Sequence, residues 1–549
     1  MSDGAAQDET PNVLGISLGS AYSAIAVLDR EGRATCIANE DGDRQTPSYV
    51  AFLAEEEAFQ FAGTQAKAQA VRNPANTITR FRNLLGRSFD DPVVRKAAGL
   101  SRAKLVEAAD GRPAYVVQCR GEELQVTPRD AMAKLLVQLR SSAEAYTGRP
   151  VTGAVLAVPA NASDAYRAEL ASAAREAGVT VLRVVSEPAA AALAFGGSAD
   201  VRSSSPGGDR NIAVVDLGAA GFDVSVLAVR GGIYTTLAAA HDDTVGGDAI
   251  DELLVKHFAS EFKRKNARDC DTLDPKASSK LRNAVEVTKK TLTLSASAAC
   301  HVEALADGID FSTNLNKLRF DMLTAKVFAK CADIVEETAK KAGLKPTEVD
   351  EVRTTLICPS LATSLLQILL VGGCSRIPKL ISKLRGVFAA SKIRNDVESD
   401  EAIACGCAAE AALLAVLPDA ELTLTDADTL APHLKVDTPL PVMRSVTFRK
   451  TADQTAVYIA VYEGEPPAPA DSRETEGGDE DVVERKEDGK EDPCTPPHRE
   501  LVAELVLDLL PQGKETSIEV IFNVDAKGLL KVTARSTDGK TVSASVAAR

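Results

Sequence analysis

Two short segments about 200 residues apart follow the same plan, and this repetition constrains the fold more than any other feature of the chain. Asn12–Leu28 reads as an apolar strand, a Leu18-Gly19 turn, Tyr22-Ser23 and a second apolar strand. Asn211–Val229 reads as an apolar strand, a Leu217-Gly218 turn, Phe222-Asp223 and again an apolar strand. A supersecondary unit repeated at this spacing points to a duplicated architecture with a cleft between its halves.

The surroundings of both units fit that plan. From Asn12 to Leu417 strands and helices alternate, the pattern of an α/β protein. Thr127–Tyr146 carries Ala131, Leu135, Leu136 and Leu139 on one side, which predicts an amphipathic helix. Val151–Val158 reads as a buried strand, and Ala165–Gly178 as a helix ended by its glycine. Residues 1–11 read as a disordered leader, and Ser203–Gly208 as a surface loop. After Leu417 the character changes. A polar linker over 418–437 leads to a second domain, 438–549, with strands expected at Val446–Phe448, Ala456–Glu463, Leu501–Leu507, Ser517–Val524, Leu529–Ala534 and Thr541–Val546. Turn signals such as Asp525-Ala-Lys-Gly528 separate them, so the domain reads as all-β. Within it, Asp471–Asp492 holds eleven acidic and four basic residues, a run that cannot bury a core and reads as a disordered loop.

Charge narrows the partners. The chain carries −15 overall, and nearly half of that sits in Asp471–Asp492. No basic or aromatic cluster offsets it, and Trp is absent, so direct nucleic-acid binding is not expected. The acidic start lacks a signal peptide's basic and apolar regions, and no apolar run reaches 18 residues, so no membrane partner is expected. The ten cysteines are scattered, only Cys405 and Cys407 lying close in sequence. They form no zinc spacing and no disulfide framework, and read as reduced thiols of a cytosolic protein.

Four glycine turns carry the chemistry. Leu18-Gly19-Ser20 allows close backbone approach, so that amide groups can point at phosphate oxygens. Asp216-Leu217-Gly218 adds a carboxylate suited to holding Mg²⁺ through water. Gly246-Gly247 and Leu370-Val371-Gly372-Gly373 add two glycine pairs at strand ends. Alone each is an ordinary turn. Together, on a duplicated α/β frame, they can enclose a nucleotide from both halves.

At this point the chain resembles the heat-shock-seventy (DnaK-like) chaperone family, whose ATPase domain is actin-like. The matching segments are Gly15–Ser20, Asn39–Ser48, Leu84–Arg87, Val155–Ala160, Ser186–Ala189, Val215–Gly218, Val371–Pro378 and Asp400–Ala402, and the likeness runs from about residue 12 to the C-terminus. It implies ATP as the cofactor, with Mg²⁺. It implies that Gly19 and Ser20 face the β- and γ-phosphates, with Gly218 in the second phosphate turn. Glu187, Asp216 and Asp223 would lie around magnesium and the attacking water. Gly246, Gly247, Gly372 and Gly373 would bracket phosphates and ribose. Glu286, Lys289 and Lys290 would hold the adenosine, and Arg376 would close over the adenine. Pro159 and Arg167 match the family's interdomain signalling pair.

Departures from the family pattern weigh as much as the matches. Ser17 stands where the family has Asp, and Ser20-Ala21 where it has two threonines. Arg82 stands where a lysine reaches the γ-phosphate, and Gly218-Ala219-Ala220-Gly221 replaces Gly-Gly-Gly-Thr. Ser17 removes a charge that orders metal-bound water, Arg82 is a planar fork instead of a compact ammonium, and Gly221 lacks a hydroxyl. Phosphoryl transfer rests on positioning and electrostatics, so these losses together predict ATP binding with weak or absent hydrolysis, and no complete catalytic or metal-ligand set is assigned. Two further departures are expected: no helical lid after the β-domain, and no leucine-rich linker in Thr423–Leu434. A sixteen-residue stretch, Val352–Gln367, interrupts the strand leading into Gly372-Gly373. It is either a surface loop or an intron read through as coding sequence.

A member with a degraded ATPase site resembles the atypical subunit of the fungal ribosome-associated complex. The implied role is a co-chaperone scaffold in stable heterodimer with a zuotin-like J-domain protein. It would reach the ribosome indirectly, in the cytoplasm, and help stimulate a second, active heat-shock-seventy chaperone acting on nascent polypeptide. The alternative is an active ATP-dependent chaperone that binds unfolded peptides. A nucleotide-exchange factor and a sugar kinase on the same fold are disfavoured, the first by the lack of long helical extensions and the second by the β-domain.

Overall fold

In a computed structural model of the chain, the described residues are 11–29, 32–53, 60–196, 210–230, 233–266, 274–344, 366–388, 392–394, 397–415, 442–450, 457–464, 499–507, 516–524, 530–536 and 541–546. The leader, the Ser203–Gly208 loop, the linker, the Asp471–Asp492 run and the Asp525–Gly528 turn lie outside them. The chain divides into two compact units, Met1–Asp419 and Ala420–Arg549.

The first unit is built on two mixed sheets with the same strand order. In one, Val13–Ser17 pairs in parallel with Gly153–Val158, which pairs with Val181–Ser186. On its other side Val13–Ser17 pairs antiparallel with Tyr22–Leu28, followed by Ala34–Cys36. In the second, Arg210–Leu217 pairs in parallel with Leu366–Val371, then Lys392–Arg394, and antiparallel with Phe222–Arg230, then Ile233–Asp242. The repeated hairpins thus occupy equivalent central places, as expected of lobes of actin-like type.

The central strands are buried because they are apolar on both faces. All six residues of Gly153–Val158 are buried, as parallel strands covered by helices require. Leu14, Ile16, Tyr115, Leu135, Leu139 and Leu156 belong to one core, and Val215, Phe222, Phe258, Leu281, Phe311 and Ile368 to another. The first core is closed by the helix Pro128–Thr147, which buries Ala131, Leu135, Leu136 and Leu139. Thr127 caps it: its side chain accepts from the Asp130 backbone, and the Asp130 carboxylate accepts from the Thr127 backbone. The next helix runs Asp164–Glu176 with Ser163 as its cap. It stops two residues before Gly178 because that glycine adopts φ +67°, a left-handed turn that ends helical hydrogen bonding.

The Leu366–Val371 strand takes its first two residues, Leu366 and Gln367, from the stretch that interrupts the family pattern; they sit opposite Asn211 and Ile212. Those two residues are therefore sheet and not surface loop. Residues 352–365 lie outside the described part of the chain.

The second unit contains two antiparallel sheets among its described residues. One has the order Val442–Lys450, Thr516–Val524, Leu530–Ser536, Thr541–Val546, and the other pairs Val457–Gly464 with Arg499–Leu507. Most of these strands run one or more residues beyond the apolar cores that mark them in sequence, because ladder pairing continues into polar positions such as Arg449 and Lys450. Phe522 and Val532 are buried.

Candidate functional site

Three of the glycine turns meet within the first unit, around the end of the strand Arg210–Leu217. The Gly218 amide donates to the Gly221 carbonyl at 3.1 Å, closing the second hairpin turn. The Gly247 amide donates to Gly218 O at 2.9 Å, and the Asp248 amide to Ala219 O at 2.8 Å, which seats the start of the helix Gly247–Asn266 on that turn. Space is the constraint. A Cβ at Gly246 would lie 2.6 Å from Ala219 O, and one at Gly372 would lie 2.2 Å from an Asp216 carboxylate oxygen. Gly372 also has φ +82°, a conformation that glycine alone adopts without strain. Gly373 starts the short helical turn Gly373–Arg376. Gly19 is equally confined, since a Cβ there would lie 2.0 Å from Tyr22 O, while its own carbonyl accepts from Ser48 Oγ at 2.7 Å.

Glu187, Asp216 and Asp223 line one pocket, together with Ala160, Pro188, Ser225, Val371 and Ile403. Asp216 ends one strand and pairs across the hairpin with Asp223; Glu187 begins the helix Glu187–Gly196. One Asp216 carboxylate oxygen is buried without a hydrogen-bond partner. Burial drives the Asp216 carboxyl well above its usual range, and Glu187 and Asp223 beside it add to that. An unpartnered buried carboxylate oxygen favours a cation or an ordered water. Together with a backbone cradle that a single methyl would fill, it fits Mg²⁺ and a nucleotide phosphate.

Arg82 enters this group from the turn Phe81–Leu84. Its guanidinium donates to Glu187, and through Nε to the Tyr166 hydroxyl at 3.3 Å. Burial raises the Glu187 carboxyl, an effect Arg82 opposes. Asp223 is bonded to His241 at 2.8 Å, and that hydrogen bond raises the His241 pKa. His241 also limits the turn: a Cβ at Gly221 would sit 3.1 Å from its Cε1, so the threonine the family places there has no room without His241 moving. Ser17 pairs with Ala24 across the first hairpin. Ser20 turns its hydroxyl to Asn83 at 2.6 Å.

A second cluster joins Tyr22 of the first hairpin to the helices Thr64–Arg72 and Pro275–Leu294. Glu286, on the helix Pro275–Leu294, binds Lys67 at 3.0 Å and Lys290 at 2.9 Å, and accepts from the Tyr22 hydroxyl. Both ammonium groups lie against the Tyr22 ring, 4.8 Å and 4.6 Å from its centre. Burial works to raise the Glu286 carboxyl, but Lys67 and Lys290 outweigh it and hold it at about 2. Lys289 points elsewhere. It is buried against Asp251 at 2.7 Å, beside Gly247, so the three helix residues grouped by sequence divide between two places. Arg80, with φ 62°, grips Asp248 through two bonds of 2.9 Å and 2.5 Å and donates to Ser20 O at 3.1 Å. Arg376 pairs with Glu398 at 2.8 Å and with Asp400. Pro159 follows the strand Gly153–Val158, and Arg167 lies in the first turn of the helix Asp164–Glu176.

Sequence reading missed Tyr22, Lys67, Arg80, Tyr166, His241 and Asp248. For His241 the available signal was register, since it stands opposite Asp223 on the neighbouring strand. For the others it was proximity across the fold, which spacing does not carry.

A family profile described as Hsp70 protein matches residues 13–476. An Hsp70 homolog of Schizosaccharomyces pombe is 33% identical over 571 residues, covering 97% of this chain and 95% of that protein. A ribosome-associated molecular chaperone of Saccharomyces cerevisiae is 34% identical over 539 residues, 95% of this chain and 79% of the relative. A heat shock 70 kDa protein of Paracoccidioides lutzii is 33% identical over 547 residues, 96% and 75% respectively. Among the described residues no helix is long and apolar enough to cross a membrane.

Proposed function

The chain belongs to the Hsp70 family, and from that premise we propose that it binds ATP, hydrolyses it weakly or not at all, and acts as a co-chaperone scaffold. In this reading Gly19, Ser20, Gly218, Gly246, Gly247, Gly372 and Gly373 receive the phosphates and ribose, Glu286, Lys289, Lys290 and Arg376 surround the adenosine, and Asp216 holds Mg²⁺ through water. Bound Mg·ATP supplies a transferable γ-phosphoryl group whose charge the metal neutralises.

The observation that carries the reading is the engagement of Arg82 with Glu187. A guanidinium held by Glu187 and Tyr166 is a fixed planar fork, and the carboxylate that would handle the attacking water is already bonded to it. The crowding at Gly221 adds to this, because a side chain there must displace the His241 ring by a few tenths of an ångström.

The partner in this reading is a zuotin-like J-domain protein in stable heterodimer. The pair works at the ribosome in the cytoplasm and stimulates a second, active heat-shock-seventy chaperone on nascent polypeptide. Relatives named as ribosome-associated molecular chaperones support that setting. A net charge of −15 suits ribosome contact through a basic partner. The test is single-turnover ATP hydrolysis with and without a J-domain protein, alongside affinity purification from lysate. Negligible turnover and equimolar, salt-resistant recovery of a J-domain protein support the scaffold; J-stimulated turnover and isolation as a lone monomer sink it.

The second reading, an active ATP-dependent chaperone, rests on the convergence of Glu187, Asp216 and Asp223 on one pocket. J-stimulated turnover in the same experiment selects it.

A further inference from the structure

Cys36 and Cys405 stand far apart in sequence, yet their sulfurs lie 3.9 Å apart. Cys36 ends the edge strand Ala34–Cys36, and Cys405 lies in the helix Ala402–Ala415. Glu401 stands four residues before Cys405, and the Cys405 amide donates to its carbonyl at 3.0 Å, so Glu401 and Cys405 share one face at one-turn spacing. Single ligand atoms of Cys36, Glu401 and Cys405 all lie within 4.8 Å of one another.

We propose that Cys36, Cys405 and the Glu401 carboxylate form a site for a thiophilic d¹⁰ divalent cation, zinc in the first instance. The sulfur spacing is the main argument. Two thiolates at about 2.3 Å from a tetrahedral zinc are separated by about 3.8 Å, close to the separation found here. A disulfide instead needs the sulfurs to close to about 2.05 Å, nearly half the present distance. The surroundings agree. Ala24, Ala26, Ala404 and Ala408 pack with the two thiols in one apolar cluster. The Cys36 thiol lies 3.8 Å from the Glu401 carbonyl oxygen, and either sulfur can donate to the other across the 3.9 Å gap.

Charge also closes. Binding displaces one proton from each thiol to solvent. Two thiolates and a carboxylate around a dication leave −1, and Arg44, bonded to both Glu401 oxygens at 3.2 Å and 3.3 Å, supplies the compensating charge. The bound ion would fasten the edge strand to a helix that also packs on Val13–Ser17 and on Glu187–Gly196. This site is independent of the nucleotide reading.

The test titrates Cd²⁺, as an optical stand-in for Zn²⁺, into the reduced, chelator-stripped full-length protein. The expected result is one equivalent of thiolate-to-cadmium charge-transfer absorption, release of two protons, and displacement by Zn²⁺. Absorption should be lost in Cys36→Ser, Cys36→Ala and Cys405→Ser and kept in Cys119→Ser, with circular dichroism confirming that each variant folds. Glu401→Gln should weaken affinity by on the order of ten-fold. Absorption that persists in the Cys36 variants overturns the site, as does a pair that forms a disulfide with mild peroxide yet takes up no metal. Unchanged affinity in Glu401→Gln overturns the three-ligand assignment.

Discussion

The guanidinium of Arg82 donates to the carboxylate of Glu187, which lines one pocket with Asp216 and Asp223, and both side chains are almost out of solvent, at 12% and 10% exposure. Breaking a pair of this kind from one side leaves an uncompensated buried charge, at a cost of about 3–5 kcal/mol. Arg82→Ala should therefore lower the unfolding free energy by about that amount in urea titrations. Arg82→Lys keeps the charge, withdraws the fork and restores the compact ammonium. It should raise single-turnover ATP hydrolysis by about ten-fold or more. An unchanged rate in a folded Arg82→Lys protein would place the block elsewhere in the site.

Glu286 makes stability depend on acid. Its carboxyl is held at about 2 in the fold against 4.5 when free, so protons bind the unfolded chain more readily. The stability it contributes is complete above about pH 4.5 and is lost as pH falls towards 2. The gap corresponds to about 3 kcal/mol. Glu286→Gln lacks this term. The advantage of the wild type in denaturant titrations should be flat above the upper limit and shrink steadily below it. A difference that stays constant through the window contradicts the assignment.

Gly372 and Gly373 are neighbours with opposite tolerances. A Cβ at Gly373 meets nothing within 4 Å, whereas one at Gly372 meets Asp216 at 2.2 Å on a left-handed backbone. Gly373→Ala should change stability by less than about 0.5 kcal/mol. Gly372→Ala should cost about 1–2 kcal/mol from the backbone alone, more with the displacement of Asp216, and should weaken nucleotide binding. Thermal melts and nucleotide titrations on the two variants decide the point; equal behaviour refutes it.

Tyr22 serves its cluster in two separable ways. Its hydroxyl bonds to Glu286, Lys67 and Lys290, and its ring lies against both ammonium groups. Tyr22→Phe removes only the hydroxyl and should cost about 1.5–3 kcal/mol. Tyr22→Ala removes the ring contacts as well, each of about 0.5–2 kcal/mol, and should melt lower than Tyr22→Phe. Identical melting temperatures would show that the ring contributes nothing.

Much of this was open to reading because local pattern and global fold agree. The two hairpins announce themselves by apolar runs around a glycine turn, and the helix after Thr127 by its apolar spacing and its cap. What stayed hidden depends on distance through space. Lys289 and Lys290 are adjacent in sequence, yet one faces Asp251 and the other Tyr22, because successive helix positions point about 100° apart. The cysteines mislead in the same way. Cys405 and Cys407 are close in sequence, but the neighbour of Cys405 in space is Cys36.

The helix Ala402–Ala415 touches the first strand so closely that a Cβ on Gly15 would lie 2.1 Å from the Ala408 amide, and one on Gly406 would lie 1.8 Å from the Ala190 carbonyl. This contact sets a schedule for synthesis. The strand that opens the first lobe leaves the ribosome roughly four hundred residues ahead of the helix that covers it, a delay of about 20–80 s at ~5–20 residues per second. Throughout that interval its inner face has no permanent cover, so the nascent chain must be shielded by others before it can take any part in shielding them.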